Sequence, residues 1–258
     1  MSSVSEALIK TIRELQELPS LQHFSLGGGT NLALRYHHRQ SIDIDLFCPD
    51  IIGKEGYGRI VKEIKERFGN DIFGCDYPCD IDDQYLFLRL FIRKEDIGIK
   101  VEILQNFKTL DDPERLDGIR LLSEKDIGLF KLMSASNRAS NKDIYDLDFI
   151  TRKIPLADLL ELLRLKQEKF NEEIHQTIFD LDREKSPVEF PELLLKFDEA
   201  SRPKAARPSH SNDRIDVMPD QKNWQVARSN WRRKVRRLYQ HLGLEFPSVQ
   251  GSDIGGAC

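Results

Sequence analysis

The chain of 258 residues is 40% hydrophobic and 32% charged, with a formal net charge of −4. That length is enough to bury a real core. The slightly acidic balance excludes a globally basic nucleic-acid binder while leaving room for a local basic patch, and apolar runs such as Leu193 to Leu195 fall far short of membrane-spanning length.

Over residues 5–18, Leu8, Ile9, Ile12, Leu15 and Leu18 recur at helical spacing, and Lys10, Arg13 and Glu14 interrupt any signal-peptide core. The four cysteines, Cys48, Cys75, Cys79 and Cys258, contain no CxxC and no even disulfide framework. They read as reduced thiols of a soluble, cytoplasmic protein, since zinc at Cys75 and Cys79 would need two further ligands.

The short apolar run from His23 to Leu26 meets Gly27, Gly28 and Gly29. A helix is predicted from Thr30, a good N-cap, with Leu32, Leu34 and Tyr36 along it. Residues 41–48, SIDIDLFC, read as a strand with carboxylates on one face and Ile42, Ile44 and Leu46 on the other. A helix over 54–68 ends at Gly69-Asn70-Asp71, and Tyr85 to Arg93 and Ile97 to Leu104 form an antiparallel hairpin about Lys94-Glu95-Asp96. From Ser123, which with Asp126 resembles a capping box, the period is helical to about Leu181. Residues 198–222, broken by Pro203, Pro208 and Pro219, read as a loop, and a final helix spans 223–242. The order is α+β: a sheet-bearing catalytic domain over 1–110, then a mostly helical domain over 111–258.

Asp43 and Asp45 carry the first chemical signal. On a strand they share a face about 6.7 Å apart, at about 3.3 Å per residue. Two such carboxylates suit a hard cation such as Mg²⁺, and ion pairs about 3.5–4 Å apart serve phosphoryl chemistry. Alone, the DxD is as readily a solvated strand face. The glycines just upstream allow close approach of backbone to phosphate at a helix N-terminus; alone, they are a tight turn. Glu102, in the strand IGIKVEIL, is the candidate third carboxylate, as metal ligand or as base on an attacking hydroxyl. His37 and His38 are adjacent on a helix, point apart, and are poor partners for Mg²⁺.

The segment GGGTNLALRYHHRQSIDIDLF resembles the first motif of the nucleotidyltransferase AbiEii/AbiGii toxin family, in the DNA polymerase β-like superfamily. A second segment, KDIGLFKLMSASNRASNKDIYDLDFI, resembles that family's second block, with Lys131, Arg138, Lys142, Asp143 and Asp146. The resemblance covers roughly residues 24–150. It implies a palm-like mixed sheet with flanking helices, an NTP donor, and Mg²⁺, two ions in all, as cofactor. By the same likeness Asp43 and Asp45 hold metal, with Glu102 as third ligand in a position where superfamily members more often carry Asp. Gly28, Gly29 and Thr30 meet the donor phosphates, and Arg39 and Ser41 shape the donor pocket. Lys131 neutralises triphosphate charge, oriented by Asp143. Arg138, seven residues beyond Lys131 on one helix face, joins it as a phosphate clamp, with Lys142 beside them; without the resemblance, that face reads as solvated.

Residues 221–244 hold no acidic residue, while Arg228, Arg232, Arg233, Lys234, Arg236 and Arg237 crowd one helix. Trp224, Trp231 and Leu238 recur every seven residues and are expected to pack on the body, leaving a basic face for RNA, tRNA above all. The expected activity is NMP transfer to such an acceptor by the toxin of a pair with a genetically linked antitoxin, with no membrane partner. The alternatives are transfer to an aminoglycoside-like small molecule and a non-catalytic nucleotide-binding scaffold. A DxD glycosyltransferase fits the glycine turn poorly.

Overall fold

The computed structural model describes residues 2–79, 81–95, 97–198 and 214–247. Helix α1 (Glu6–Gln16) starts at Ser5, whose side chain accepts a hydrogen bond from the Leu8 amide, and buries Leu8, Ile12 and Leu15. Helix α3 (Gly53–Phe68) buries Tyr57, Ile60, Ile64 and Phe68 in the same core.

Both helices pack on one face of a seven-stranded mixed sheet. Its strands are β1 (Ser25–Leu26), β2 (Ile44–Phe47), β3 (Ile72–Cys79), β4 (Phe87–Lys94), β5 (Ile97–Leu104), β6 (Glu114–Leu116) and β7 (Ile119–Leu121), in the order β3-β4-β5-β2-β1-β7-β6. β2 runs parallel to β5 and β1 to β7, and the remaining pairs are antiparallel. The register sets rows of side chains across the central strands. Leu88, Ile103 and Leu46 form one row and Leu90, Val101 and Ile44 another, all buried under the helices. Because neighbouring residues alternate faces, the intervening row, Arg89, Glu102 and Asp45, stands on the opposite face.

Helices α4 (Glu124–Arg138), α5 (Asn141–Ile150), α6 (Leu156–Lys169) and α7 (Trp224–His241) share a second core with Leu32 of α2 (Gly28–Tyr36). The expected stripe on α7 holds: Trp231 and Leu238 are buried and Trp224 partly so. The Trp231 indole N–H donates to the Leu194 carbonyl at 2.9 Å.

The mixed sheet with flanking helices and the hairpin β4–β5 follow the expectation, as does the Ser123 cap, whose Oγ accepts from the Asp126 amide at 3.0 Å. Other expectations are corrected. Strand β2 begins at Ile44, not Ser41, and Ile42 is 70% exposed. The backbone before it is diverted: the Ser41 amide donates to the Ser3 carbonyl at 3.0 Å, and Thr30 Oγ1 donates to the Asp43 carbonyl at 2.5 Å. Helix α2 starts at Gly28, with Gly27 and not Thr30 at the cap. The single helical stretch from Ser123 to Leu181 is three helices. Ala139 turns left-handed at φ 54° after α4, Pro155 caps α6, and between Lys169 and Leu181 come only short 3-10 turns. Strands β3, β6 and β7 had no counterpart in the sequence reading.

Of the loop expected over 198–222, residues 199–213 lie outside the described residues, as do Asp96 and Cys258. The described end of that segment docks on the chain before β2. Val217 bridges to Arg39, and the Gln40 amide donates to the Asp216 carbonyl at 2.8 Å.

Candidate active site

The open face of the sheet meets the first turn of α2 at Asp45. Gly27 has no side chain to cap that turn, so the leading N–H groups of α2 carry the partial positive charge of an uncapped helix start. Gly28 has φ +61°, and a Cβ there would lie 1.9 Å from Asp45 Oδ2. Only glycine lets the turn close so tightly over the carboxylate.

Asp45 is paired in register with Glu102 on β5. Burial, then the Glu102 charge, pushes the Asp45 carboxyl up to about 7. Glu102 behaves oppositely. Burial raises it, but Lys100 and Arg89 outweigh that and hold it below the usual carboxylate range. Arg89 donates to Glu102 Oε1 from Nε at 2.9 Å and Nη2 at 2.7 Å. Lys100 Nζ lies 3.1 Å from Glu102 Oε2 and 3.7 Å from Asp43 Oδ2. Asp43 is half-exposed just ahead of β2.

A second cluster closes the site from α5. Asp146 is fully buried and takes a two-point fork from Arg39, Nε to Oδ1 at 2.6 Å and Nη2 to Oδ2 at 2.7 Å. It also meets Lys131 Nζ at 2.8 Å and His38 Nε2 at 2.8 Å. Burial alone would raise its pKa, but Arg39 and Lys131 hold it well below the ordinary value. Burial of Lys131 is likewise outweighed by Asp143, at 2.6 Å, and Asp146, which keep its ammonium charged. Burial lowers the His38 pKa, so the ring is neutral near pH 7, stacked on Tyr145. The Arg39 guanidinium is thereby held against the first turn of α2, where a Cβ on Gly29 would lie 2.3 Å from Nη2.

Of the residues singled out in the sequence, Gly28, Gly29, Arg39, Asp43, Asp45, Glu102, Lys131 and Asp143 are thus drawn into one neighbourhood. Thr30 is buried, with its hydroxyl spent on the Asp43 carbonyl and 2.8 Å from Ser41 Oγ, so Thr30 and Ser41 brace the DxD segment. Arg138 lies 4.7 Å over the Phe179 ring, and Lys142 is half-buried in the first turn of α5. Sequence reading missed the pivotal roles of Asp146, Lys100 and Arg89. Asp146 carried a signal, since it lies three residues beyond Asp143 and so shares its helix face.

Among the described residues, no three of His, Cys, Asp and Glu stand so as to hold a metal ion by themselves. Mg²⁺ is usually bound by one or two carboxylates plus substrate phosphates rather than by an all-protein cage. Asp43 and Asp45 supply hard oxygen donors, and Asp45 is held up first by burial and then by the neighbouring Glu102 charge.

In fold the chain is similar to MenT4, a nucleotidyltransferase toxin of Mycobacterium tuberculosis H37Rv, with a TM-score of 0.53 over 89% of this chain and 82% of that one. At 19% identity the likeness is one of fold. In sequence it is 31% identical over 168 residues to the uncharacterized protein aq_aa25 of Aquifex aeolicus (strain VF5), 64% of this chain and 73% of that protein. Residues 12–249 match the family described as nucleotidyl transferase AbiEii toxin, type IV TA system. The chain belongs to that family of nucleotidyltransferase toxins of type IV toxin–antitoxin systems.

Proposed function

We propose that the protein transfers a nucleoside monophosphate from an NTP to an RNA acceptor, tRNA above all, in a reaction that needs a divalent metal ion. The observation that carries this reading is the Asp45 carboxylate seated under the uncapped turn at Gly28, with Arg39 against the same turn. One spot thus offers oxygen donors for a cation beside N–H groups and a guanidinium for phosphate.

Asp43 and Asp45 would hold the metal, which when bound supplies charge neutralisation at the transferring phosphate. Backbone N–H groups at Gly28 and Gly29, with Arg39, grip the donor phosphates. Lys131, kept charged by Asp143 and Asp146, adds positive charge at the pyrophosphate leaving group. Glu102 is held ionised by Arg89 and Lys100, which suits a counter-charge that orients its neighbours better than a proton acceptor. The acceptor approaches along α7, where Arg233, Arg236 and Arg237 are exposed. A linked antitoxin restrains the activity in the cell, as the family implies. None of the helices described is long and apolar enough to cross a membrane.

The test is incubation with each labelled NTP, Mg²⁺ and total tRNA, with and without chelator. Label should enter RNA, disappear with EDTA, and be lost with Asp43→Ala or Asp45→Ala, which should also relieve growth arrest. Growth arrest undiminished in the double alanine variant would defeat this reading.

A further inference from the structure

Two cations serve Glu102, and they are built differently. Arg89 grips a single oxygen, Oε1, through both Nε and Nη2, the fixed fork that a planar guanidinium favours. It is 29% exposed and belongs to the same cross-strand row as its partner. Lys100 holds by one atom, at 3.1 Å to Glu102 Oε2 and 3.7 Å to Asp43 Oδ2. Its neighbours on β5 place it one step along the same face as Glu102, and Asp45, in register with Glu102, joins Glu102 and Asp43 in raising its pKa. One ammonium, on a flexible four-carbon stem, therefore stands among the three carboxylates.

An ammonium there does what a divalent ion would do electrostatically, at half the charge and without directed coordination. Moving it aside leaves Glu102 still anchored by Arg89, so the carboxylate row keeps its shape.

We propose that Lys100 is a built-in placeholder cation: it neutralises Asp43, Asp45 and Glu102 in the metal-free protein and must be displaced for a divalent ion to load. This inference rests on the metal-dependent reading given above. Its consequence is that the free protein binds metal weakly, and that metal loads together with the nucleotide, whose phosphates add ligands to the carboxylates for which Lys100 competes with the ion.

The experiment titrates Mn²⁺ alone into the full chain by calorimetry, for the wild type, Lys100→Met, Lys100→Arg and Asp45→Asn, with thermal unfolding in EDTA and in Mn²⁺. Lys100→Met should bind Mn²⁺ at least about tenfold more tightly than the wild type, because a competing unit charge a few ångströms away is gone. It should melt lower in EDTA and recover on adding Mn²⁺, while Lys100→Arg, which keeps the charge, should bind like the wild type. Equal or weaker Mn²⁺ binding by Lys100→Met overturns the proposal. If Lys100→Met folds only in the presence of Mn²⁺, the ion is replacing the ammonium and the proposal stands. Asp45→Asn separates the two levels. Unchanged Mn²⁺ binding there defeats the metal-site reading itself, whereas binding lost there but not tightened in Lys100→Met defeats only the role of Lys100.

Discussion

Arg39 and Asp146 are joined by two hydrogen bonds of 2.6 and 2.7 Å, across 107 residues of sequence. The carboxylate that fixes the guanidinium also fixes Lys131 and accepts from neutral His38. Asp146→Asn keeps the shape and removes the charge that two buried cations depend on. It should destabilise the fold by about 3–5 kcal/mol, the usual cost of unpairing buried charge, and raise KM for the NTP by at least about tenfold. Urea unfolding and NTP titration check the two parts. A variant as stable as the wild type would show that the two buried cations do not depend on that charge.

Gly28→Ala meets two obstacles at once. Alanine at φ +61° costs about 1–2 kcal/mol, and its Cβ must displace Asp45 Oδ2, 1.9 Å away. Transfer activity should fall by two orders of magnitude or about that, with only a modest loss of melting temperature. Comparing activity with melting temperature decides it, since a variant that merely unfolds loses both together.

The metal-free protein should lose stability as pH rises from about 4 to about 7 through Asp45 alone. Its carboxyl stands at about 7 in the fold against an ordinary value of 3.8, so between those limits the folded state holds the proton and the unfolded chain does not. Stability then declines with pH and levels off above 7. Asp45→Asn removes that slope and should be more stable than the wild type at pH 8 in EDTA. Unfolding free energies across pH would refute this if the two curves ran parallel.

The basic character of α7 is partly spent on structure. Lys234 Nζ reaches Asp148 Oδ1 at 2.6 Å and Lys222 pairs with the same buried carboxylate. Arg233, Arg236 and Arg237 remain exposed. Reversing Arg232, Arg233 and Arg236 to Glu should raise KM for RNA at least about tenfold and flatten its salt dependence, while NTP binding stays as it was. Unaltered acceptor kinetics would remove α7 from the RNA path.

Legibility in the sequence followed the range of the interactions involved. Helix α1, the hairpin β4–β5 and the Ser123 cap are set within a few residues, and their periodicity and turn chemistry show directly. The break at Ala139 was hidden because no glycine or proline marks it; Pro155 was visible, and the helical period overrode it. Strand β3 escaped because it is an edge strand whose residues are mostly exposed, without alternation, and β6 and β7 have three residues each. The DxD and glycine turn were readable as chemistry, but the start of β2 was not, since Thr30 and Ser3 divert the backbone before it. The least legible part was the hub at Asp146, whose role exists only once Arg39, His38 and Lys131 are folded around it.

That separation also sets a timetable for synthesis. The strand bearing Asp45 and its neighbour β5 are complete by Leu104, yet the counter-ion that aims Arg39 is not translated until residue 146, and the lysines that seat α7 on Asp148 come at 222 and 234. A chain ending between Leu104 and residue 146 has Asp43, Asp45 and Glu102 but lacks the carboxylate that holds Arg39. On the reading proposed above, such a chain would carry the acids without the carboxylate that aims Arg39 at the donor phosphates.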